Sequence, residues 1–454
     1  MKNLASTLGK GTLWLVSGDI VVKVTGLLYL FLILSHLAVY EYGLVKLALS
    51  VPALLSVFGL AGLHPVMVAD LITLKEQKRF SEMSFKLSAF LSAKVVMGIV
   101  AAAGLFGSTF LFTHFFSEEI LNLVRILSIL FLLGPVRSLI VLSLEVSKNF
   151  KIRSWFAVFE EIIKLLLVFI LLSLLHQGVT GVIVATVAAN FLVAAAFLPI
   201  CLSILRNEIT GPILSRGVWS PWSVFRDHAK WSIFFDSLNN FALNIRPWIV
   251  QFILGMSAVG IYGIAMALLS PLKSLVPISR VILPILPSYI EKKIVMIKII
   301  NSSIKYKLYS QVILSITAIA ALPILFIFLP DYQEAQWLFA AMTLAFIPQS
   351  FQQMFSVVFH AFKMQKNLFV TTLLNLAAVM LLLPASLLFF GLYGVAVELF
   401  ITQSLFVYSR YKALKRPLPE YTLPYKDLIS ITPTDKWLFK KIINKVPYLR
   451  GLSQ

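Results

Sequence analysis

One cysteine, Cys201, is all that the 454 residues contain. A single thiol excludes a disulfide framework and a cysteine-ligated metal site. Charge is scarce too: 13% of residues are charged, and acids are outnumbered 20 to 39 by Lys and Arg. No paired-acid arrangement falls in a connection large enough to hold a catalytic centre, which argues against a glycosyltransferase or polymerase. There is no phosphate-cradling glycine loop, which excludes ATP hydrolysis by that route. The short alternating segments of a β-barrel are also missing.

What is present is apolar sequence. Hydrophobic residues make up 59% of the chain and mean hydropathy is +0.90. Soluble domains are typically only ~45–50% apolar, so the excess points to lipid as solvent. Twelve runs, at 11–34, 45–69, 88–112, 120–146, 155–175, 180–203, 232–254, 259–285, 308–329, 336–360, 368–390 and 393–413, have the length of helices that cross a bilayer. The expected fold is therefore an all-α integral membrane protein of about twelve transmembrane helices. Lys2 and Lys10 lead into the first run with no small-residue cleavage pattern, so that run is read as a helix and not as a cleaved signal.

The connections sort by charge. Alternate ones carry Lys75, Lys78, Arg79 and Lys86; Lys148, Lys151 and Arg153; Arg206, Arg216, Arg226 and Lys230; Lys292, Lys293, Lys298, Lys305 and Lys307; Lys363 and Lys366. With the N-terminus and the segment after Ser409 they hold 30 of the 39 Lys and Arg, and the intervening connections hold none. This pattern predicts cytoplasmic termini and an even number of spans. It also accounts for the net charge of +19 as an orientation signal and an attraction to anionic lipid, not to nucleic acid. In the tail, Leu438, Phe439, Ile442, Ile443 and Val446 share one helical face flanked by lysines, the pattern of a basic helix lying on the membrane.

The halves echo each other. Residues 33–50 (ILSHLAVYEYGLVKLALS) and 253–270 (ILGMSAVGIYGIAMALLS) agree at eight of eighteen positions at an offset of 220. Gly178–Val182 and Gly391–Val395 repeat a second, shorter pattern, GVTGV against GLYGV. Two parallel six-helix repeats follow, facing each other across a central cavity. The expected organisation is an N-lobe at 1–205, an interfacial linker at 206–230 with Trp219, Trp222 and Phe225, a C-lobe at 231–413 and a basic tail at 414–454.

With Leu37–Gly43 (LAVYEYG), Phe58–Gly62, Arg246–Gly263 (RPWIVQFILGMSAVGIYG), Leu329–Ala335 (LPDYQEA) and the Gly391–Val395 turn, the chain resembles the polysaccharide transporter family of the multidrug/oligosaccharidyl-lipid/polysaccharide flippase superfamily. The resemblance spans nearly the whole chain. It implies a MATE-like two-lobed bundle in a bacterial inner membrane. It also implies export of undecaprenyl-diphosphate-linked saccharides for O-antigen, capsule or exopolysaccharide. A glycan polymerase and a chain-length regulator are the partners it suggests. No thirteenth or fourteenth span is evident, which separates the chain from the lipid II flippase branch. A multidrug efflux transporter of the same superfamily is the main alternative, and the cationic excess argues against it.

Charges inside the spans are the candidate site residues, because each costs ~2.5–3.5 kcal/mol at a helix centre. Lys23 and Arg246 lie in the first helix of each half. With Arg137, Lys94 and Lys273 they are read as a cationic cavity for a polyprenyl-linked diphosphate, Arg by its bidentate fork and Lys as a point charge. Asp19, one turn from Lys23, and Asp236 are candidates for ion coupling. Arg125, Glu145 and Arg280 are expected to snorkel, Glu160 to pair with Lys164, and Lys273 to share a face with Arg280. No metal or cofactor is implied, and a monomer is expected.

Overall fold

The computed structural model describes residues 2–60, 62–208, 229–275, 278–283, 286–289, 292–362 and 364–423. The first half comprises α1 (Lys2–Leu34), α2 (Val39–Leu54), α3 (Leu63–Glu76), α4 (Phe80–Leu111), α5 (Glu118–Val146), α6 (Phe150–Phe169, continued by a π-helical turn) and α7 (Gly178–Glu208). The second comprises α8 (Ala229–Asn244), α9 (Arg246–Leu254), α10 (Met256–Leu275), α11 (Ile278–Ile282), α12 (Lys293–Ile327), α13 (Glu334–Thr343), α14 (Phe346–Ala361), α15 (Gln365–Phe390) and α16 (Gly394–Leu414). Taking α2–α3, α8–α9 and α13–α14 as split passes gives twelve, six in each half. Among the described residues, seven stretches are long and apolar enough to cross a membrane unaided, and one of these, Gln365–Leu414, holds two helices. The remaining passes are the three split ones and α6, which carries Arg153, Glu160, Glu161 and Lys164. The chain is a multi-pass membrane protein, and side chains such as Leu388 (74% exposed) and Phe389 (83%) form its lipid-facing surface.

Two of the splits, α2–α3 and α13–α14, interrupt runs read as single helices, and the third falls beside Pro247. At 55–60 the second pass unwinds after Pro52, through Ser56, Gly59 and Leu60, whose φ is +48°. Such backbone is tolerated at membrane depth only where protein satisfies it. Here Lys94 Nζ, from α4, donates to the Gly59 carbonyl at 2.8 Å. In the seventh pass Pro247 has no N–H for the carbonyl one turn back, and the helix breaks at Ile245. α10 is described to Leu275 and α11 from Ile278, so the face expected to join Lys273 and Arg280 runs through residues outside the described ones.

Turns at one end of the bundle, around 35–38, 112–117, 175–177, 255, 328–333 and 391–393, contain no Lys or Arg. This is called the neutral end, and the opposite one the basic end. Gly43 and Gly260 let α2 and α10 touch backbone to backbone near the neutral end. A Cβ on Gly43 would sit 2.3 Å from the Met256 carbonyl oxygen, and one on Gly260 2.1 Å from that of Val39. These residues belong to the repeated segments, so each copy of the repeat packs on the other across the seam. One hydrophobic cluster joins both halves there, from Leu30 and Leu44 to Tyr262, Tyr332 and Leu399. Toward the basic end the core separates. One cluster holds the first half with Ile233 of α8, and another the second half around Met296, Phe355 and Tyr421. The two halves are thus fused at the neutral end, whereas at the basic end they form distinct clusters bridged by Ile233 of α8.

Leu418 and Tyr421, just beyond α16, are buried in that second-half cluster. Arg410, counted above with the tail, also lies inside the bundle, 1% exposed. The aromatic segment of the linker and the amphipathic tail segment fall outside the described residues.

Candidate functional site

The seam between the halves is the natural place for a site, and two hydrogen bonds and a ring contact close it besides the glycine contacts. Trp248 Nε1 of α9 donates to Ser50 Oγ of α2 at 2.8 Å. Tyr332 Oη donates to the Leu37 carbonyl at 2.6 Å, and its ring meets that of Tyr42 edge-on. Along α2, Tyr42, Lys46 and Ser50 recur every four residues and so line one face, which looks across the seam. Lys46 packs against Gly263, where a Cβ would lie 3.0 Å from its Cγ.

Arg246 is buried, 1% exposed, at the start of α9. Its Nε and one terminal nitrogen donate to the two carboxylate oxygens of Glu398 on α16, at 3.0 and 2.9 Å. Its other terminal nitrogen donates to the Ala242 carbonyl at 2.8 Å, beside the helix break. Thr402 Oγ1 donates to Glu398 at 3.0 Å. The guanidinium is therefore fully engaged within the second half. Glu398 lies 152 positions from Arg246, so no local spacing in the sequence pairs them.

Arg137 of α5 pairs with Glu160 of α6 and donates to Asn190 Oδ1 of α7 at 2.7 Å. Glu160 is thus taken by Arg137, and Lys164 pairs instead with Glu161 at 2.6 Å. Arg125 donates to Glu118 and Asn122, and Glu145 binds His64 and Arg153, so these two make specific bonds where snorkelling was expected. Lys23 and Asp19 lie one turn apart on α1, part-buried, and neither side chain is free. Asp236 is part-buried on α8, two turns before Asn244, which donates to the Asn240 carbonyl at 2.8 Å.

The lysines are placed differently. Lys94 is 8% exposed and meets the Gly59 carbonyl and the Phe90 ring. Lys46 and Lys273, on the helices that form the seam, have no ion-pair or hydrogen-bond partner among the described residues. Arg410 donates to the Gln352 carbonyl at 3.0 Å and to Ser356, and likewise has no carboxylate among the described residues. The acids inside the bundle are thus largely matched to arginines, and lysine charge is left over near the seam. Lys46 was the residue most easily missed: the other copy of the repeat carries Met266 there, and that mismatch was the available signal.

Three cavities open along this frame. One of about 190 Å³ lies beside Lys94, and one of about 550 Å³ lies above it between α2, α4, α5 and Trp248. A third, about 320 Å³ and walled by leucines, lies on the opposite seam between α1, α10 and α12.

No curated protein sequence matches the chain. Among solved structures it is similar to the lipid II flippase MurJ in an inward closed conformation (TM-score 0.73, 16% identity, 94% of this chain and 95% of that one). It is also similar to an inward-facing multidrug resistance MATE-family transporter (TM-score 0.70, 14% identity, 87% and 96%). A third likeness is to a transporter from Pyrococcus furiosus described as having a binding pocket of reverse polarity (TM-score 0.65, 13% identity, 90% and 95%). At these identities the likeness establishes the fold, which is that of the MOP superfamily. The model of the family described as "Polysaccharide biosynthesis protein" matches residues 8–290, well over half of the chain. The chain belongs to the polysaccharide biosynthesis protein family, built on the MOP-superfamily transporter fold.

Proposed function

We propose that this protein is a flippase. It carries a polyprenyl-diphosphate-linked oligosaccharide from the cytoplasmic to the outer leaflet of the bacterial inner membrane, for a surface polysaccharide. The observation that carries the reading is the surplus of lysine at and beside the seam: Lys46, Lys94 and Lys273 sit inside the bundle with no carboxylate partner among the described residues. A buried cation without a counter-ion is costly, and an anionic ligand would relieve that cost. A drug cation would not. Family membership supplies the other part of the ligand, the glycan, which cannot cross hydrocarbon unaided.

Arg246, Arg137 and Lys23 keep a place in this proposal as residues that set the field and geometry of the site. The first two already hold carboxylates. Asp19 and Asp236 are proposed as ion-coupling positions. Transport would proceed by alternating access: the seam at the neutral end parts while the basic end closes.

The test is uptake of a fluorescent polyprenyl-diphosphate saccharide into the protected leaflet of vesicles containing the purified protein. Wild type is expected to translocate it, and the Lys46→Gln/Lys273→Gln variant to do so at least tenfold more slowly. Equal rates in protein-free vesicles would sink the proposal.

A further inference from the structure

Two of the cavities succeed one another along α4, and taken together as a cleft their chemistry changes along its length. On α4, Lys94, Gly98, Ala101 and Leu105 follow one another along a single face. The first two line the 190 Å³ cavity and the last two the 550 Å³ cavity. Facing them on antiparallel α5, Phe131 lines the smaller cavity and Val124 the larger. The unwound part of the second pass covers both.

The smaller cavity is polar at one point. Among the described residues Lys94 Nζ has a single hydrogen bond, to the Gly59 carbonyl, and keeps donor capacity. Ser56 Oγ beside it is buried and has no hydrogen-bond partner among the described residues. The larger cavity is apolar in effect. Its two hydroxyls, on Ser108 and Thr109, are turned back onto the carbonyls of Leu105 and Phe106, each at 2.7 Å. Its rim on α4, at Val100 and Phe112, is exposed toward lipid, so a chain can enter from the side.

We infer that this cleft is a binding site for the lipid carrier itself. The diphosphate lies at Lys94 and Ser56, and the first isoprene units run along the apolar cavity toward Trp248. This rests on the flippase reading and adds the position and polarity of the carrier. The head lies on the basic-end side and the tail points to the neutral end, which is how a lipid of the basic-end leaflet is oriented. One groove holds one chain. A polyprenyl carrier has one, whereas a diacyl phospholipid has two. The leucine-walled cavity on the opposite seam has no charged residue in its wall to anchor a phosphate. Gly104 gives a clean probe, because a Cβ there meets nothing within 4 Å and a larger side chain grows into the cavity.

The experiment is photolabelling of the purified full-length protein with a short-chain prenyl diphosphate bearing a terminal benzophenone, with a benzophenone phosphatidylglycerol in parallel. Labelled peptides are mapped by mass spectrometry. The expected result is prenyl labelling between Val100 and Val124, reduced at least fivefold by Lys94→Gln and by Gly104→Phe. The mapping on wild-type protein stands even if a variant fails to fold. Prenyl labelling confined to α1, α10 or α12 would overturn this assignment and leave the flippase reading intact. Equal labelling of the cleft by phosphatidylglycerol would make it a general lipid site and overturn the assignment too. No prenyl labelling anywhere would contradict both.

Discussion

Breaking the Arg246–Glu398 pair should show that this arginine is first a structural residue. Both side chains are essentially unexposed, at 1% and 0%, and share two charge-assisted hydrogen bonds. Replacing Arg246 by Met leaves the carboxylate buried with only the Thr402 hydroxyl, and replacing Glu398 by Leu leaves the guanidinium with only the Ala242 carbonyl. Removing one partner of such a pair costs ~3–5 kcal/mol, whereas replacing both with apolar residues is often neutral. The double variant Arg246→Met/Glu398→Leu should therefore recover ~2 kcal/mol or more of the summed single losses. In the double variant Thr402 still donates to the Glu398 backbone carbonyl, so no hydroxyl is orphaned. The assay is reversible unfolding in mixed micelles followed by tryptophan fluorescence, with all four proteins measured in one cycle. Strict additivity, or single variants within ~1 kcal/mol of wild type, would refute the reasoning. The charge-swapped Arg246→Glu/Glu398→Arg protein separates structure from binding. If Arg246 acts only through the pair, the swap restores stability and export together. If it also meets the diphosphate, stability returns and export does not.

Gly260→Leu should force α2 and α10 apart, because even a Cβ would lie 2.1 Å from the Val39 carbonyl oxygen. A cysteine at Ser50, buried in the seam, is then expected to react faster with a maleimide from the neutral side in that background than with Gly260 in place. Orientation is tested by His114→Cys and Lys78→Cys, read against a buried and therefore silent Cys201. In intact cells an impermeant maleimide should label the first and reach the second only after permeabilisation, and the opposite pattern would invert the topology. Tyr332→Phe removes the hydroxyl that bonds the Leu37 carbonyl and should cost ~1 kcal/mol while raising the population open at the neutral end, as reported by the Ser50 cysteine.

Much of this architecture is written in the sequence at the level of periodicity. Apolar runs mark the passes, although the three split ones and α6 fall short of unaided spans, and the repeat at 33–50 and 253–270 identifies segments that meet across the seam. The breaks were harder to see. Pro247 signals one locally, but the unwinding at 55–60 depends on Lys94 of another helix to satisfy Gly59. The site was legible as a set of charges and not as their pairing. Arg246 and Arg137 find partners on helices 152 and 23 residues away, distances over which helical periodicity carries no information. Lys46 gave no local pattern either, because its surroundings come from the other half.

The central claim is that a lipid-linked saccharide crosses the membrane through this protein. Mass spectrometry of polyprenyl-diphosphate-linked saccharides in cells depleted of the protein tests it most directly. The expected result is build-up of one completed oligosaccharide on its carrier, together with loss of a surface glycan. An unchanged pool, or a build-up of incomplete units, would contradict it.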